Sequence, residues 1–218
     1  MIFVDRSDAG RQLASKLSAY AGPDTRVLAL PRGGVPVAYE VAIALNAPLD
    51  VFIVRKLGVP GQEELAMGAI ASGDVRVLNQ ETIAALGIED ELIDAVIERE
   101  RSELERRQNA YRDDLPAHDV AGKDVIVVDD GIATGASMYA GVLALRQREP
   151  RTIAIAVPVA PPETRAVLAR EVDAFVCIAT PEPFRGVGAW YADFKQIDDE
   201  GVRALLKAAF HREADAQR

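Results

Sequence analysis

At 218 residues, with 49% apolar and 27% charged side chains, the chain has the composition of a folded globular domain and not of a disordered or fibrous one. Its formal net charge of −9 argues against a nucleic-acid surface, and no apolar run approaches the roughly 18 residues of a membrane span. One cysteine (Cys177) and two histidines (His118 and His211), none at ligand spacing, give little support to disulfides, zinc chemistry or histidine-based triads.

The opening "MIFVDRSDAGR" carries Asp5, Arg6, Asp8 and Arg11 where a secretory leader needs its apolar stretch, so a cytoplasmic protein is expected. Ser7 or Asp8 can cap a first helix with Leu13, Leu17 and Tyr20 on one face. "RVLAL" (26–30) reads as a short buried strand, residues 34–46 as the helix after it, and "LDVFIV" (49–54) as the second strand. Residues 55–79, rich in glycine, read as a flexible loop containing a β-hairpin around "SGD". One short and one long helix follow over 80–112, where Glu103 and Arg107 make an i,i+4 pair. Only Ile93, Ile97, Leu104 and Tyr111 form an apolar stripe there, which suits an exposed helix docked along one edge, or else an oligomer contact or a cap over a site. "DVIVVD" (124–129) is the third strand, and a helix from about 136 to 148 stops before Pro150. "TIAIAVPVA" and "DAFVCIA" are the fourth and fifth strands, joined by a helix starting near Pro162, with Cys177 as a small core residue. The aromatic, glycine- and proline-rich stretch 181–196 precedes a last helix. The alternation predicts an α/β fold, a doubly wound and mostly parallel sheet of about five strands with helices on both faces.

In such a sheet ligands bind outside the carboxyl ends of the strands. Three unusual loops leave those ends: "PRGG", "RKLGVPG" and "DDGIATGAS". The third leads straight into a helix N-terminus, where free amides and the helix dipole favour an anion. Thr134 and Ser137 add hydroxyls, and Gly131 and Gly135 allow close backbone approach, which together make a cradle for one phosphate monoester. No Gly-Lys-Ser/Thr follows, so this is not a Walker loop, and G-x-G-x-x-G is absent. A receiver-type acid pair belongs at a first strand, and a dehalogenase nucleophile needs Asp-x-Asp where Gly131 stands. Asp129 and Asp130 would repel a bare polyphosphate but suit a sugar diol, with Mg²⁺ nearby needing few protein ligands.

"VIVVDDGIATGAS" (125–137) resembles the phosphoribosyl pyrophosphate (PRPP) motif of the type I phosphoribosyltransferases. "LALPRGGVPVA" is similar to that family's pyrophosphate loop and "VRKLGVPG" to the start of its mobile catalytic loop, with looser similarity over about 26–195. The whole chain looks most like bacterial proteins known chiefly by the family name alone. The resemblance implies a Mg²⁺-dependent transferase that displaces pyrophosphate from PRPP with a nucleobase or related nitrogen nucleophile. The 5′-phosphate would sit on Gly131, Ile132, Ala133, Thr134, Gly135, Ala136 and Ser137. Asp129 and Asp130 would hold the ribose hydroxyls and, through water, the metal; Arg32, Gly33, Gly34, Arg55 and Lys56 would meet pyrophosphate. Segment 181–196 would be a hood, with Phe184, Val187, Trp190 and Tyr191 toward the base; the alternative is that these aromatics only cover the sheet edge. Ala133 stands where hypoxanthine-guanine members carry an acid, which weakens a 6-oxopurine reading.

On this reading residues 1–218 are one domain: a core at 26–180, a mobile loop at 55–79, a helical insertion at 80–112, and the hood with its C-terminal helix. The expected partners are PRPP and a nitrogenous base, with no nucleic acid and no membrane, in a homo-oligomer. A sensor that binds PRPP without turnover is the main alternative, and another sugar-phosphate enzyme the third.

Overall fold

The computed structural model describes residues 2–112 and 115–216. Helix α1 (Arg6–Ala14) is capped by Asp5, whose carboxylate accepts from the Asp8 amide, so the cap lies earlier than the expected Ser7 or Asp8. The helix stops at Ala14; Leu13 and Leu17 are buried, but Tyr20 belongs to a separate 3₁₀ turn, Ser18–Tyr20. Strand β1 (Thr25–Ala29), helix α2 (Gly34–Leu45) and strand β2 (Leu49–Val51) follow.

The glycine-rich stretch expected as a loop is instead an antiparallel sheet: β3 (Val54–Val59), β4 (Gln62–Ala71) and β5 (Val75–Leu78). Its glycines serve the sheet. The register shifts at Gly58, Gly61 turns the chain at φ +80°, and a Cβ on Gly68 would stand 2.3 Å from the Val77 carbonyl oxygen. The hairpin around "SGD" is present, with Gly73 and Asp74 both at positive φ.

Helices α3 (Gln80–Leu86) and α4 (Asp90–Arg112) come next, then β6 (Asp124–Val128), α5 (Ala136–Arg146), β7 (Thr152–Val159), α6 (Pro162–Leu168), β8 (Ala174–Ala179) and α7 (Asp199–Ala216). The stripe Ile93, Ile97, Leu104 and Tyr111 is fully buried, so α4 is docked and not free. Arg112 fastens its end, its Nη2 donating to Asp50 at 3.0 Å and to the Val51 carbonyl at 3.1 Å. No helix among the described residues is long and apolar enough to cross a membrane.

The five parallel strands lie in the order β2-β1-β6-β7-β8. Alternation along β6 serves two cores: Ile126 and Val128 face α2 and α7, while Val125 and Val127 face α5 and α6. Each such side chain stabilises the fold by about 1.5–3 kcal/mol when removed from water. β8 closes one edge, where Cys177 is half-buried and packs against the core on the α5 and α6 side; burial pushes its thiol up. The chain turns one way from β1 to β2 and the other way from β6 to β7, so the switch point lies between β1 and β6.

Candidate active site

Two expected loops meet at that switch point. β1 runs in register with β6, pairing Leu28 with Val127 and Ala29 with Val128, and both strands end at one mouth. The contact between the loops depends on glycine. A Cβ on Gly33 would stand 2.1 Å from Asp130 Oδ2, and one on Gly34 would stand 2.7 Å from the Val128 oxygen. The pair therefore does more than start α2. The Gly34 amide is spent on the Leu30 carbonyl at 3.1 Å, which leaves Arg32 and Gly33 as the turn's polar contribution. The Pro31–Arg32 peptide is cis.

After β6 the chain divides inward and outward residues cleanly. Ile132 is buried and its amide donates to the Val159 carbonyl at 2.9 Å, so it anchors the loop and offers no amide to a phosphate. Ala133, Thr134, Ala136 and Ser137 are exposed around it. Gly135 caps α5 at φ +80°, and no side chain caps the helix, so its first-turn amides are open to an anion. Thr164 Oγ1 braces the loop from behind by donating to the Ala133 carbonyl at 2.9 Å.

The acid pair is the electrostatic centre of the mouth. Asp129 Oδ1 accepts from the Asp130 amide at 2.8 Å. Burial, then the neighbouring Asp130, pushes the Asp129 carboxyl well above the usual carboxylate range. Burial also raises Asp130, but Arg6 opposes it: Arg6 Nε donates to Asp130 Oδ2 at 2.8 Å. Tyr191 donates its hydroxyl to the Asp130 carbonyl at 2.5 Å, and burial raises the phenol so that it stays protonated.

Arg6 is the residue that sequence reading missed. It sits 124 positions from its partner, among the other charges of the opening stretch, Asp5, Asp8 and Arg11, so no local signal singled it out. The N-terminus packs on the 181–196 segment: the Phe3 amide donates to the Trp190 carbonyl at 3.0 Å, and the Phe3 and Tyr191 rings lie 5.2 Å apart. Tyr191 is 6% exposed, and a Cβ on Gly131 would meet Val187 at 2.5 Å, so both residues are committed to packing. Phe184 and Trp190 pack partly into the same cluster. The exposed aromatic beside the acids is Phe194, 38% exposed and carrying the Arg6 guanidinium 3.9 Å over its ring.

The third loop is not assembled as expected. Arg55 and Lys56 are neighbours in a strand, so the pleat sends them to opposite faces. Arg55 turns to α4, where its Nε donates to Glu100 at 2.9 Å and its Nη2 binds the same carboxylate. Lys56 lines a cleft of about 340 Å³ between the antiparallel sheet and α5, bordered by Tyr139 and by Ala136 of the phosphate loop. Arg32, half-exposed, reaches Asp199 of α7 at 3.5 Å. Of the predicted site residues, Asp129, Asp130, Arg32, Gly33 and the 131–137 loop share one mouth, Lys56 stands beside it, and Arg55 faces away.

Mg²⁺ can be judged on these donors. Among the described residues no group of three His, Cys, Asp or Glu side chains could cage a metal. Two adjacent carboxylates beside an anion cradle do fit a hydrated Mg²⁺ that completes its shell with water and ligand phosphates.

Known proteins resemble this chain over most of its length. A model of the phosphoribosyl transferase domain matches residues 5–179. Two proteins from strains of Mycobacterium tuberculosis, each described as "Putative phosphoribosyl transferase", are 45% identical over 215 residues. These alignments take in 99% of this chain and 48% of each relative, so the chain spans about half their length. The crystal structure of TT1426 from Thermus thermophilus superposes with a TM-score of 0.87 at 42% identity, covering 94% of this chain and 98% of that one. A hypoxanthine-guanine phosphoribosyltransferase from Bacillus anthracis shares the fold alone, with a TM-score of 0.50 at 13% identity over 84% of this chain and 85% of that one.

Proposed function

The chain belongs to the phosphoribosyl transferase family, and from that premise we propose that it is a Mg²⁺-dependent phosphoribosyltransferase that displaces pyrophosphate from PRPP with a nucleobase or related nitrogen nucleophile. The observation that carries the proposal is the meeting of an acid pair and an uncapped helix start with the Gly33 turn at the β1–β6 switch point.

The first-turn amides of α5, with the Thr134 and Ser137 hydroxyls, would hold the 5′-phosphate. Asp129 and Asp130 would accept hydrogen bonds from the ribose hydroxyls and hold the hydrated metal through water. Bound Mg²⁺ would supply neutralising charge to the pyrophosphate. Arg32 and Lys56 would reach that group from two sides, Arg32 by leaving Asp199. The acceptor nitrogen's lone pair forms a bond to the anomeric carbon as the carbon–oxygen bond to pyrophosphate breaks, and that electron pair leaves with pyrophosphate. By analogy with glycoside cleavage, the sugar passes through an oxocarbenium-like state that needs leaving-group stabilisation more than a strong base. The scarcity of histidine is therefore no obstacle.

A second reading, PRPP binding without turnover, draws on the Arg55–Glu100 pair and the ordered antiparallel sheet, which stand where a mobile cationic loop was expected. Incubation of the protein with PRPP and Mg²⁺ against a panel of bases, following pyrophosphate release, separates the two. The transferase reading requires base-dependent release; saturable binding with no release from any base supports the sensor.

A further inference from the structure

Two adjacent carboxylates form a strong attractor for a divalent cation and a strong repeller of a polyphosphate. Arg6 changes that balance. Arg6 is 8% exposed, and its guanidinium is held on three sides: Nε on Asp130 Oδ2 at 2.8 Å, Nη1 on the Lys195 carbonyl at 2.7 Å, and the Phe194 ring 3.9 Å beneath. It is a fixed internal charge and not a mobile surface cation. On the other side of Asp130, Gly33 leaves room only for the carboxylate itself, since a Cβ there would stand 2.1 Å from Oδ2. Asp130 is thus clamped between Arg6 and the turn after β1, and one oxygen of the pair is already committed to a cation.

We propose that Arg6 is the resident counter-cation of the Asp129–Asp130 pair, a positioning residue that keeps divalent metal off the ligand-free site and so makes the metal enter together with the ligand's phosphates. The inference rests on the reading of this mouth as a PRPP site. With Arg6 in place the pair presents at most one net negative charge, and no third carboxylate joins it among the described residues. That is too little to hold Mg²⁺, which gives up its waters reluctantly and is ordinarily bound by one or two carboxylates plus substrate phosphates. Phosphate oxygens delivered to the α5 cradle would complete the shell.

The consequence has two opposite signs, which generic damage to the site does not produce. Removing the Arg6 charge strengthens binding of a divalent metal alone and weakens binding of PRPP. The test titrates Mn²⁺ alone into the full protein and follows the free ion by electron paramagnetic resonance. Wild type is expected to bind weakly, and Arg6→Met and Arg6→Gln about tenfold more tightly, given the Coulomb energy between charges a few ångströms apart in a partly buried site. Arg6→Lys, which keeps the charge, should stay near wild type. Should Arg6→Met fail to fold, Arg6→Gln, which retains an amide donor for Asp130, carries the comparison. Tight metal binding by wild type without PRPP, or no gain in Arg6→Gln, overturns the proposal. Failure of wild type to bind PRPP at any Mg²⁺ concentration instead contradicts the ligand assignment, and the metal-alone comparison still judges Arg6.

Discussion

Asp130 and Glu100 are both carboxylates clasped by an arginine, at 2.8 Å by Arg6 and at 2.9 Å by Arg55, yet their settings differ. Asp130 stands at the carboxyl end of the parallel sheet, 14% exposed, with Gly33 against it and the loop into α5 directly after it. Glu100 lies beneath the antiparallel sheet, 12% exposed, and joins α4 to β3. The two ion pairs therefore differ in what surrounds them: one stands against the turn after β1 at the start of the loop into α5, and the other joins α4 to β3. Chemistry alone does not separate them; what each carboxylate faces does.

The sharpest way to break this comparison is to neutralise each acid in turn. Asp130→Asn should weaken PRPP binding by about a hundredfold or more, because a charge-assisted acceptor for ribose and metal is lost. If PRPP binds it as well as wild type, the mouth is not the ligand site. Next in size, Gly33→Ala should weaken PRPP binding by about tenfold through displacement of the clamped Asp130 carboxylate, with a loss of stability of about 1 kcal/mol. Isothermal titration and thermal melting measure the two separately, and a purely structural glycine would show the second effect without the first.

Glu100→Gln should do the reverse. Breaking the half-buried pair should cost about 1–3 kcal/mol of stability while PRPP affinity stays within about threefold of wild type. A large loss of affinity would return Arg55 to the site. The smallest effect belongs to Glu103 on the exposed face of α4, whose carboxyl is held down to about 2 by hydrogen bonds from Arg106 and then Arg107. Its folded value is depressed, so the contribution is present above the unfolded carboxylate range and fades as pH falls toward 2. Glu103→Gln should therefore lower the melting temperature by about a degree or two at neutral pH and by less in acid.

The sequence exposed the parts of this molecule that are local and hid the parts that are not. The strand ending in Asp129–Asp130 and the small-residue loop after it are contiguous, so backbone chemistry alone marks them as an anion site beside two acids. The parallel sheet followed from the alternation of strands and helices, but the strand order that puts the switch point between β1 and β6 did not. Arg6 was illegible because its meaning comes from a partner 124 residues on, and no local pattern encodes that closure. Residues 55–79 misled for a different reason. Glycine marks both loops and close backbone approach, and Gly58 and Gly68 are of the second kind. Once β3 is a strand, Arg55 and Lys56 must diverge, which no reading of them as loop residues could supply. The aromatics of 181–196 gave no hint of their partner at the other end of the chain, where Phe3 pairs with Tyr191.

The central claim is that the mouth between β1 and β6 binds PRPP by its two ends, the ribose 5-phosphate on the acids and the α5 cradle, and the pyrophosphate toward Arg32. Isothermal titration of the wild-type protein with PRPP in Mg²⁺, repeated with ribose 5-phosphate or pyrophosphate as competitor, tests it most directly. The expected result is saturable binding that each competitor displaces and that Asp130→Asn weakens by about a hundredfold or more. Absence of saturable binding, or binding that neither fragment displaces, would contradict it.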